Sequence, residues 1–148
     1  MTEGSTSGDR PGEDPDGSDL PPGQHLVESP PVMHYGRIPD RDPAAWTVTV
    51  GGATADGVER VFPIADVTAL PEAEQVCDMH CATRWTARGV RWHGVRVRDL
   101  AALAPPAPDV TTALVFAEFG YAANVRLEDL LAEEALLATH RDGEPLTR

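Results

Sequence analysis

The chain contains no lysine, and all 12 of its basic residues are arginines, set against 24 aspartates and glutamates. The net charge of −12 disfavours general binding to nucleic acids, whose phosphates call for a basic surface. Because alanine, glycine and proline are abundant, the preference for arginine is also typical of a GC-rich genome and says little about function by itself. We therefore expect no nucleic-acid partner.

Long apolar runs are also missing. No segment approaches the roughly 20 apolar residues that are needed to cross a bilayer. The N-terminus has neither the basic start nor the apolar stretch of a signal peptide. We therefore predict a protein without membrane association that resides in the cytoplasm, where thiols stay reduced.

Large apolar side chains are scarce at the start of the chain, where Leu20 is the only large aliphatic residue after Met1. Residues 1–24 carry six acids, one base, five glycines and four prolines. Such a segment cannot bury enough apolar surface to offset the entropy lost on ordering. With a total length that suits one domain, the sequence predicts a disordered acidic tail over residues 1–28 and one folded domain over residues 29–148.

Beyond residue 43 the chain alternates short strand and helix signals. Alternating or continuous apolar patterns predict strands at residues 46–50, 58–64, 75–83 and 111–119, the last of them buried. Short helices are predicted at residues 66–70 and 97–103, and Gly89 and Gly94 are expected to interrupt the chain around Trp92. Over residues 126–139 the helical period favours one long helix. The pattern predicts an α+β domain.

Cysteine is rare, with only Cys77 and Cys81. In a strand the two would stand about 13 Å apart at 3.3 Å per residue, too far for a disulfide. Three alternatives remain open for the pair: a CxxxC redox motif on a helix, two small buried hydrophobes, or a zinc site. The zinc site would combine both cysteines with His80 and either His34 or His93.

The neighbours of Cys81 make it the stronger functional candidate. Thr83 and His80 offer hydrogen-bond donors, and Arg84 can lower the pKa of a nearby thiol. A thiolate in such surroundings is a plausible metal ligand or nucleophile. Five arginines fall within fifteen residues and predict either a solvated edge or a local anion site; they are Arg84, Arg88, Arg91, Arg96 and Arg98.

Residues 78–86 (DMHCATRWT) resemble the DFHCVTRWS signature of bacterial sulfite-oxidase-like proteins, which carry the oxidoreductase molybdopterin-binding domain. Further segments resemble the same family in the same order, from about residue 31 to residue 146. They are residues 32–36 (VMHYG), 42–52 (DPAAWTVTVGG), 92–95 (WHGV), 120–131 (GYAANVRLEDLL) and 143–146 (GEPL).

The resemblance implies a mostly antiparallel mixed sheet in an α+β fold and a molybdenum-molybdopterin cofactor. It implies that Cys81 is the protein ligand of molybdenum and the catalytic residue. It also implies a short helix near residues 127–131 followed by a strand, in place of one long helix. The residues expected to bind the cofactor are His34, Tyr35, His80, Thr83, Arg84 and Asn124.

The implied activity is oxygen-atom or electron transfer, with a small-molecule substrate and a separate electron-transfer protein as partners. Family members continue beyond the GEPL segment, so we expect a C-terminally truncated homologue with impaired cofactor affinity. We also expect an exposed sheet edge able to associate with a partner, and less cover for Leu114, Val115 and Phe116. The alternative function is that of a non-catalytic homologue acting as a binding protein.

Overall fold

The computed structural model describes residues 19–34, 36–38, 40 and 42–146. These residues form a five-stranded sheet and two separate two-stranded sheets, with short helices between them. One strand pairing is parallel and the others are antiparallel. This confirms the predicted α+β class with a mostly antiparallel mixed sheet.

The long hairpin of β4 (Glu72–His80) and β5 (Trp85–Arg96) is the centre of the larger sheet. Its register shifts between Cys77 and Met79, where Arg88 and Gly89 of β5 lie opposite Asp78. Gly89 adopts φ 58° there, and its backbone N–H donates to Asp78 Oδ1 at 2.8 Å. A bulge with a left-handed glycine is a common way to strengthen the twist of a hairpin. The predicted interruption at Gly89 and Gly94 is therefore wrong, because β5 runs through both residues.

The other edge of β5 is shared by two strands. At its start β5 pairs in parallel with β1 (His25–Val27), and at its end it pairs with β8 (Leu136–Arg141), which is followed by β9 (Glu144–Pro145). Gly94 is buried where β5 meets β8, and a Cβ atom there would lie 2.1 Å from the carbonyl oxygen of Leu137. The close approach of the two backbones therefore requires glycine.

A second hairpin, formed by β2 (Thr47–Val50) and β3 (Arg60–Pro63), leads into α1 (Ile64–Thr68). The helix α2 (Val97–Leu103) follows β5. Val67, Val95 and Leu100 are buried together and form the main core, against which side chains of the hairpin and of β8 pack. The predicted helix at residues 97–103 is confirmed over its full length.

The remaining sheet pairs β6 (Thr112–Phe116) with β7 (Ala122–Arg126), and α3 (Leu127–Leu130) precedes β8. The division into a short helix and a strand confirms what the family resemblance implied and contradicts one long helix. The expectation that β6 is buried is wrong, because Leu114 and Phe116 are 52% and 68% exposed. Leu114, Val115 and Phe116 are thus all exposed, and the cause that the sequence suggested for this stays a prediction.

The predicted tail over residues 1–28 is described only from residue 19 onward. Within that part, His25–Val27 form β1 of the main sheet, so the expectation of disorder is wrong for these residues. Residues 1–18 lie outside the described part of the chain. Among the described residues, no helix is both long and apolar enough to span a membrane.

Candidate functional site

Cys81 stands at the tip of the β4–β5 hairpin. Its backbone N–H donates to the Trp85 carbonyl at 2.9 Å, and its own carbonyl accepts from the Arg84 N–H at 2.9 Å. The loop of Ala82, Thr83 and Arg84 is a three-residue hairpin turn, whose last position needs a left-handed backbone. Arg84 occupies it at φ 74°, a conformation that is costly for a residue other than glycine.

The Cys81 thiol is partly buried and surrounded by donors from its own turn. The Thr83 hydroxyl donates to Sγ at 3.2 Å. This bond lowers the pKa of Cys81, helped by the backbone N–H groups of Thr83 and Ala82 and opposed by desolvation. The thiolate is therefore stabilised by hydrogen bonds of the turn. The expected contribution of Arg84 to this pKa is not found.

One face of the sheet carries the thiol, and we call it the thiol face. Cys81 lies opposite Trp85, as the register of His80 with Thr86 requires, so the two side chains lie on the same face. Cys81 packs against the buried cluster of Trp85, Ala87 and Val90. Trp85 is only 5% exposed, yet its buried indole Nε1–H has no hydrogen-bond partner within the described part of the chain.

The opposite face carries a hydrogen-bond chain of three side chains. The Thr86 hydroxyl donates to Gln24 Oε1 at 3.1 Å, so its single proton is used there. His80 Nδ1, at 2.9 Å from the same hydroxyl oxygen, is consequently the donor of that bond. His80 thus carries a proton on Nδ1, and its side chain lies on the other face from the Cys81 thiol.

The five arginines do not form one anion site. Four of them face carboxylates: Arg88 pairs with Asp19, Arg91 with Glu74, and Arg96 and Arg98 with Glu133. Within the described residues, no ion pair or hydrogen bond engages the guanidinium of Arg84. Arg84, an exposed residue three positions after Cys81, is therefore available to an anion.

The other predicted cofactor residues lie elsewhere. His34 is exposed on the segment before β2, where its Nδ1 is 2.9 Å from the Gly36 carbonyl oxygen. Gly36 in turn approaches Phe119 of the β6–β7 hairpin. Asn124 lies on β7 opposite Leu114, in a sheet separate from the one that carries Cys81. Tyr35 falls outside the described residues.

The expectation of a small buried hydrophobe is wrong for Cys77, which is exposed. The helical redox motif and the zinc site are not supported by the geometry either. Cys77 and Cys81 are both free thiols, and the segment that holds them is a strand and its turn, not a helix. No group of three or more histidine, cysteine or acidic side chains suited to a metal ion occurs in the described ranges. His93 instead contacts Glu74, with Nε2 2.7 Å from Oε2.

A half-open cavity of about 330 Å³ lies at the far end of β5. His93, which lines the cavity, lies eight residues after Trp85 on β5. At 3.3 Å per residue, the cavity is therefore roughly 25 Å from the Cys81 turn. None of the residues expected to bind the molybdopterin cofactor lines it. Its walls are formed by Thr68, Glu72, His93, Gly94, Val95, Thr139, His140 and Gly143.

Comparison with known families matches residues 35–148 to the oxidoreductase molybdopterin binding domain. The chain belongs to this family. The match covers the hairpin, the Cys81 turn and the main core, and it confirms both the sulfite-oxidase-like resemblance and the expected molybdopterin cofactor.

Two known proteins support the assignment. The chain is 36% identical over 129 residues to the uncharacterized oxidoreductase YuiH of Bacillus subtilis, covering 86% of this chain and 64% of that protein. The fold is similar to the sulfane dehydrogenase SoxCD of Paracoccus pantotrophus, with a TM-score of 0.60 at 17% identity over 73% of this chain and 32% of that one. The chain thus spans less than two thirds of the length of either protein.

Two residues near the turn, Gln24 and His25, had no signal in the sequence, and the buried donor of a third, Trp85, was not foreseen. Gln24 and His25 reach the turn through the pairing of β1 with β5, a contact between segments about sixty residues apart that leaves no local pattern. Trp85 stood within the family signature, but its unpaired N–H is visible only once its burial is known.

Proposed function

We propose that the Cys81 thiolate ligates the molybdenum of a bound molybdopterin cofactor, and that the domain carries out oxygen-atom or electron transfer at that centre. The observation that carries this proposal is the position and environment of the Cys81 thiol. It lies at a hairpin tip, partly buried, with a pKa lowered by the Thr83 hydroxyl and turn amides. A soft thiolate suits a thiophilic metal.

The donor set of the described residues fits a metal that brings most of its own ligands. Cys81 has no histidine, cysteine or carboxylate beside it that would complete a protein-only metal site in the described part of the chain. One thiolate added to the dithiolene of a molybdopterin needs no such second protein ligand. The site therefore suits a cofactor-borne metal better than a bare ion.

Two further groups support cofactor binding at the turn. The Trp85 Nε1–H is a buried donor on the thiol face, and an unsatisfied donor of this kind costs about 1–3 kcal/mol unless a bound group accepts from it. Arg84 is an exposed residue of the same turn, and a guanidinium suits the phosphate of the pterin. We assign Trp85 and Arg84 as residues that would hold the cofactor, together with Cys81 as its metal ligand.

The chain's own residues contribute position and charge. Thr83 and the turn amides favour the thiolate form of Cys81 by lowering its pKa, and the Trp85, Ala87 and Val90 cluster excludes water from one side of the thiol. His34, His80 and Asn124 remain proposed cofactor contacts, with His80 on the opposite face from the thiol. When bound, the cofactor supplies the centre that cycles between oxidation states. A small-molecule substrate and a separate electron-transfer protein complete the proposed reaction.

Metal content tests the proposal. The full chain is produced in a host that makes molybdopterin, and molybdenum is measured by ICP-MS in the wild type, Cys81→Ser and Cys77→Ser. Cys77 is an exposed cysteine on the same strand segment and serves as the matched control. We expect Cys81→Ser to lose molybdenum and Cys77→Ser to retain the wild-type content; equal retention by both variants would contradict the assignment of Cys81.

A binding role is the second candidate, favoured by the exposed apolar side chains of the β6–β7 hairpin. Phe116, Phe119 and Tyr121 are each more than half exposed. A protein that acts only through this surface would retain its function in Cys81→Ser, whereas the oxidoreductase would lose it.

A further inference from the structure

The side chain of Gln24 makes two hydrogen bonds to parts of the chain that lie far from it in sequence. Its Nε2 donates to the Cys81 carbonyl oxygen at 3.0 Å, and its Oε1 accepts from the Thr86 hydroxyl at 3.1 Å. The orientation of the amide is defined, because a carbonyl oxygen can only accept and so must face the NH₂ group.

The carbonyl that Gln24 contacts is a fixed point of the Cys81 turn. The same oxygen accepts the Arg84 N–H that closes the turn, at 2.9 Å. The next residue of the N-terminal segment, His25, donates its backbone N–H to the Arg84 carbonyl at 3.0 Å. Gln24 and His25 therefore hold the carbonyls at both ends of the loop.

The turn needs such support because of Arg84. Its backbone at φ 74° lies in a region that side chains other than glycine adopt at a cost, and such conformations persist where the surroundings fix them. Besides the turn's own bonds, the residues that fix this one, Gln24 and His25, lie before residue 35, where the family match begins. This support thus comes from a segment outside the matched domain.

The geometry points to Gln24 as a positioning residue that braces the Cys81 turn and thereby sets the direction of the thiol. This inference rests on the proposed role of Cys81 as the metal ligand. The positioning role of Gln24 differs from a role in attaching β1 to the sheet. The hydrogen bond from Gln24 to the Cys81 carbonyl does not contribute to the β1–β5 ladder.

The test compares Gln24→Ala, Gln24→Glu and Gln75→Ala in the full chain without cofactor. Glutamate at position 24 can still accept from Thr86 but cannot donate to the Cys81 carbonyl. Gln75 is a partly buried glutamine of β4, about 20 Å along the strand from Cys81 at 3.3 Å per residue, and serves as the matched control. Two quantities are measured: exchange of the Arg84 amide by NMR, and alkylation of Cys81 by iodoacetamide, with Cys77 as the reference thiol in the same molecule.

Loss of one hydrogen bond at the turn predicts about a fivefold faster exchange of the Arg84 amide in both Gln24 variants. We expect the alkylation rate of Cys81 to change in the same two variants, while that of Cys77 stays constant. The amides of β5 that pair with β8 should exchange at the wild-type rate, and Gln75→Ala should resemble the wild type throughout.

Three outcomes would overturn the inference. The first is that both Gln24 variants show the same exchange and alkylation rates as Gln75→Ala. The second is that amide exchange rises equally along the whole of β5, which would make Gln24 a general support of the sheet, and the third is that Gln24→Glu behaves as the wild type, which would place the effect in the Thr86 bond. None of these readouts involves the metal. A negative result for the role of Gln24 can therefore be told apart from a failure of the proposed function. Failure of the proposed function would appear as retained molybdenum in Cys81→Ser.

Discussion

Single residues decide the chemistry of the Cys81 turn. The thiol owes its lowered pKa chiefly to one hydroxyl, that of Thr83, and only secondarily to backbone amides. Sequence alone suggested Arg84 as the perturbing group, because a nearby cation is a common cause of a low thiol pKa. The charge of a side chain can be read from the sequence. The direction in which a turn orients that side chain cannot.

Replacing Thr83 by valine tests the role of the hydroxyl. Valine has nearly the same shape but no donor, so the pKa of Cys81 should rise toward its ordinary value. At neutral pH the thiolate fraction should then fall. The measurement is the pH profile of Cys81 alkylation, whose midpoint should move to higher pH in Thr83→Val.

Serine at position 83 is the control for that experiment, since it keeps the hydroxyl and should leave the midpoint where the wild type has it. A midpoint that stays unchanged in Thr83→Val would show that the turn amides suffice.

Arg84 combines two opposing effects, a strained backbone and an available charge. Arg84→Gly removes both, so the free energy of unfolding should rise by about 1 kcal/mol. Cofactor content should fall, because the guanidinium proposed to bind the pterin phosphate is lost. Chemical denaturation measures the first quantity and molybdenum content the second.

Lysine at position 84 keeps both the charge and the left-handed strain, so it should leave stability near that of the wild type. If Arg84→Gly gained stability and retained full cofactor content, the guanidinium would have no part in binding.

At the scale of elements, local patterns were sufficient wherever neighbours in sequence make the contacts. The strand at residues 46–50, the second strand of that hairpin and helix α2 were all predicted from periodicity and turn residues. Elements that depend on partners distant in sequence were not predicted. β1 is three residues long and exists through its pairing with β5.

The two glycines of β5 show why a local rule failed. Glycine commonly ends an element, and this predicted a break around Trp92. Gly89 instead forms a bulge opposite Asp78, and Gly94 allows the backbone of β8 to approach. Both are glycines because of a neighbouring strand, which the local sequence does not reveal.

Gly94→Ala should therefore be strongly destabilising. A Cβ atom would lie 2.1 Å from the Leu137 carbonyl oxygen and 2.8 Å from Ala138 Cα, both backbone atoms that cannot move alone. We expect a loss of at least about 3 kcal/mol in the free energy of unfolding, measured by denaturation.

Gly51→Ala is the matched control, because the three atoms nearest to a Cβ there all belong to the side chain of Glu59, whose Cγ and carboxylate can rotate away. Its cost should be at most about 1 kcal/mol. Equal losses in the two variants would show that the β5–β8 approach tolerates a side chain.

At the scale of the whole molecule, the main sheet brings the N-terminal segment, the Cys81 turn and the C-terminal hairpin strands onto one strand, β5. The family match covers residues 35–148, and β1 adds a support from outside that range. The sheet thus presents the Cys81 thiol on one face and a hydrogen-bond chain that steadies its turn on the other.

Sulfur coordination of molybdenum tests the central claim most directly. X-ray absorption at the molybdenum edge counts the sulfur ligands in the wild type, in Cys77→Ser and in whatever metal-loaded fraction Cys81→Ser yields. The account predicts that the wild type and Cys77→Ser share one sulfur beyond those of the cofactor, and that Cys81→Ser lacks it. An unchanged sulfur count in Cys81→Ser, or a reduced one in Cys77→Ser, would contradict the assignment of Cys81 as the metal ligand.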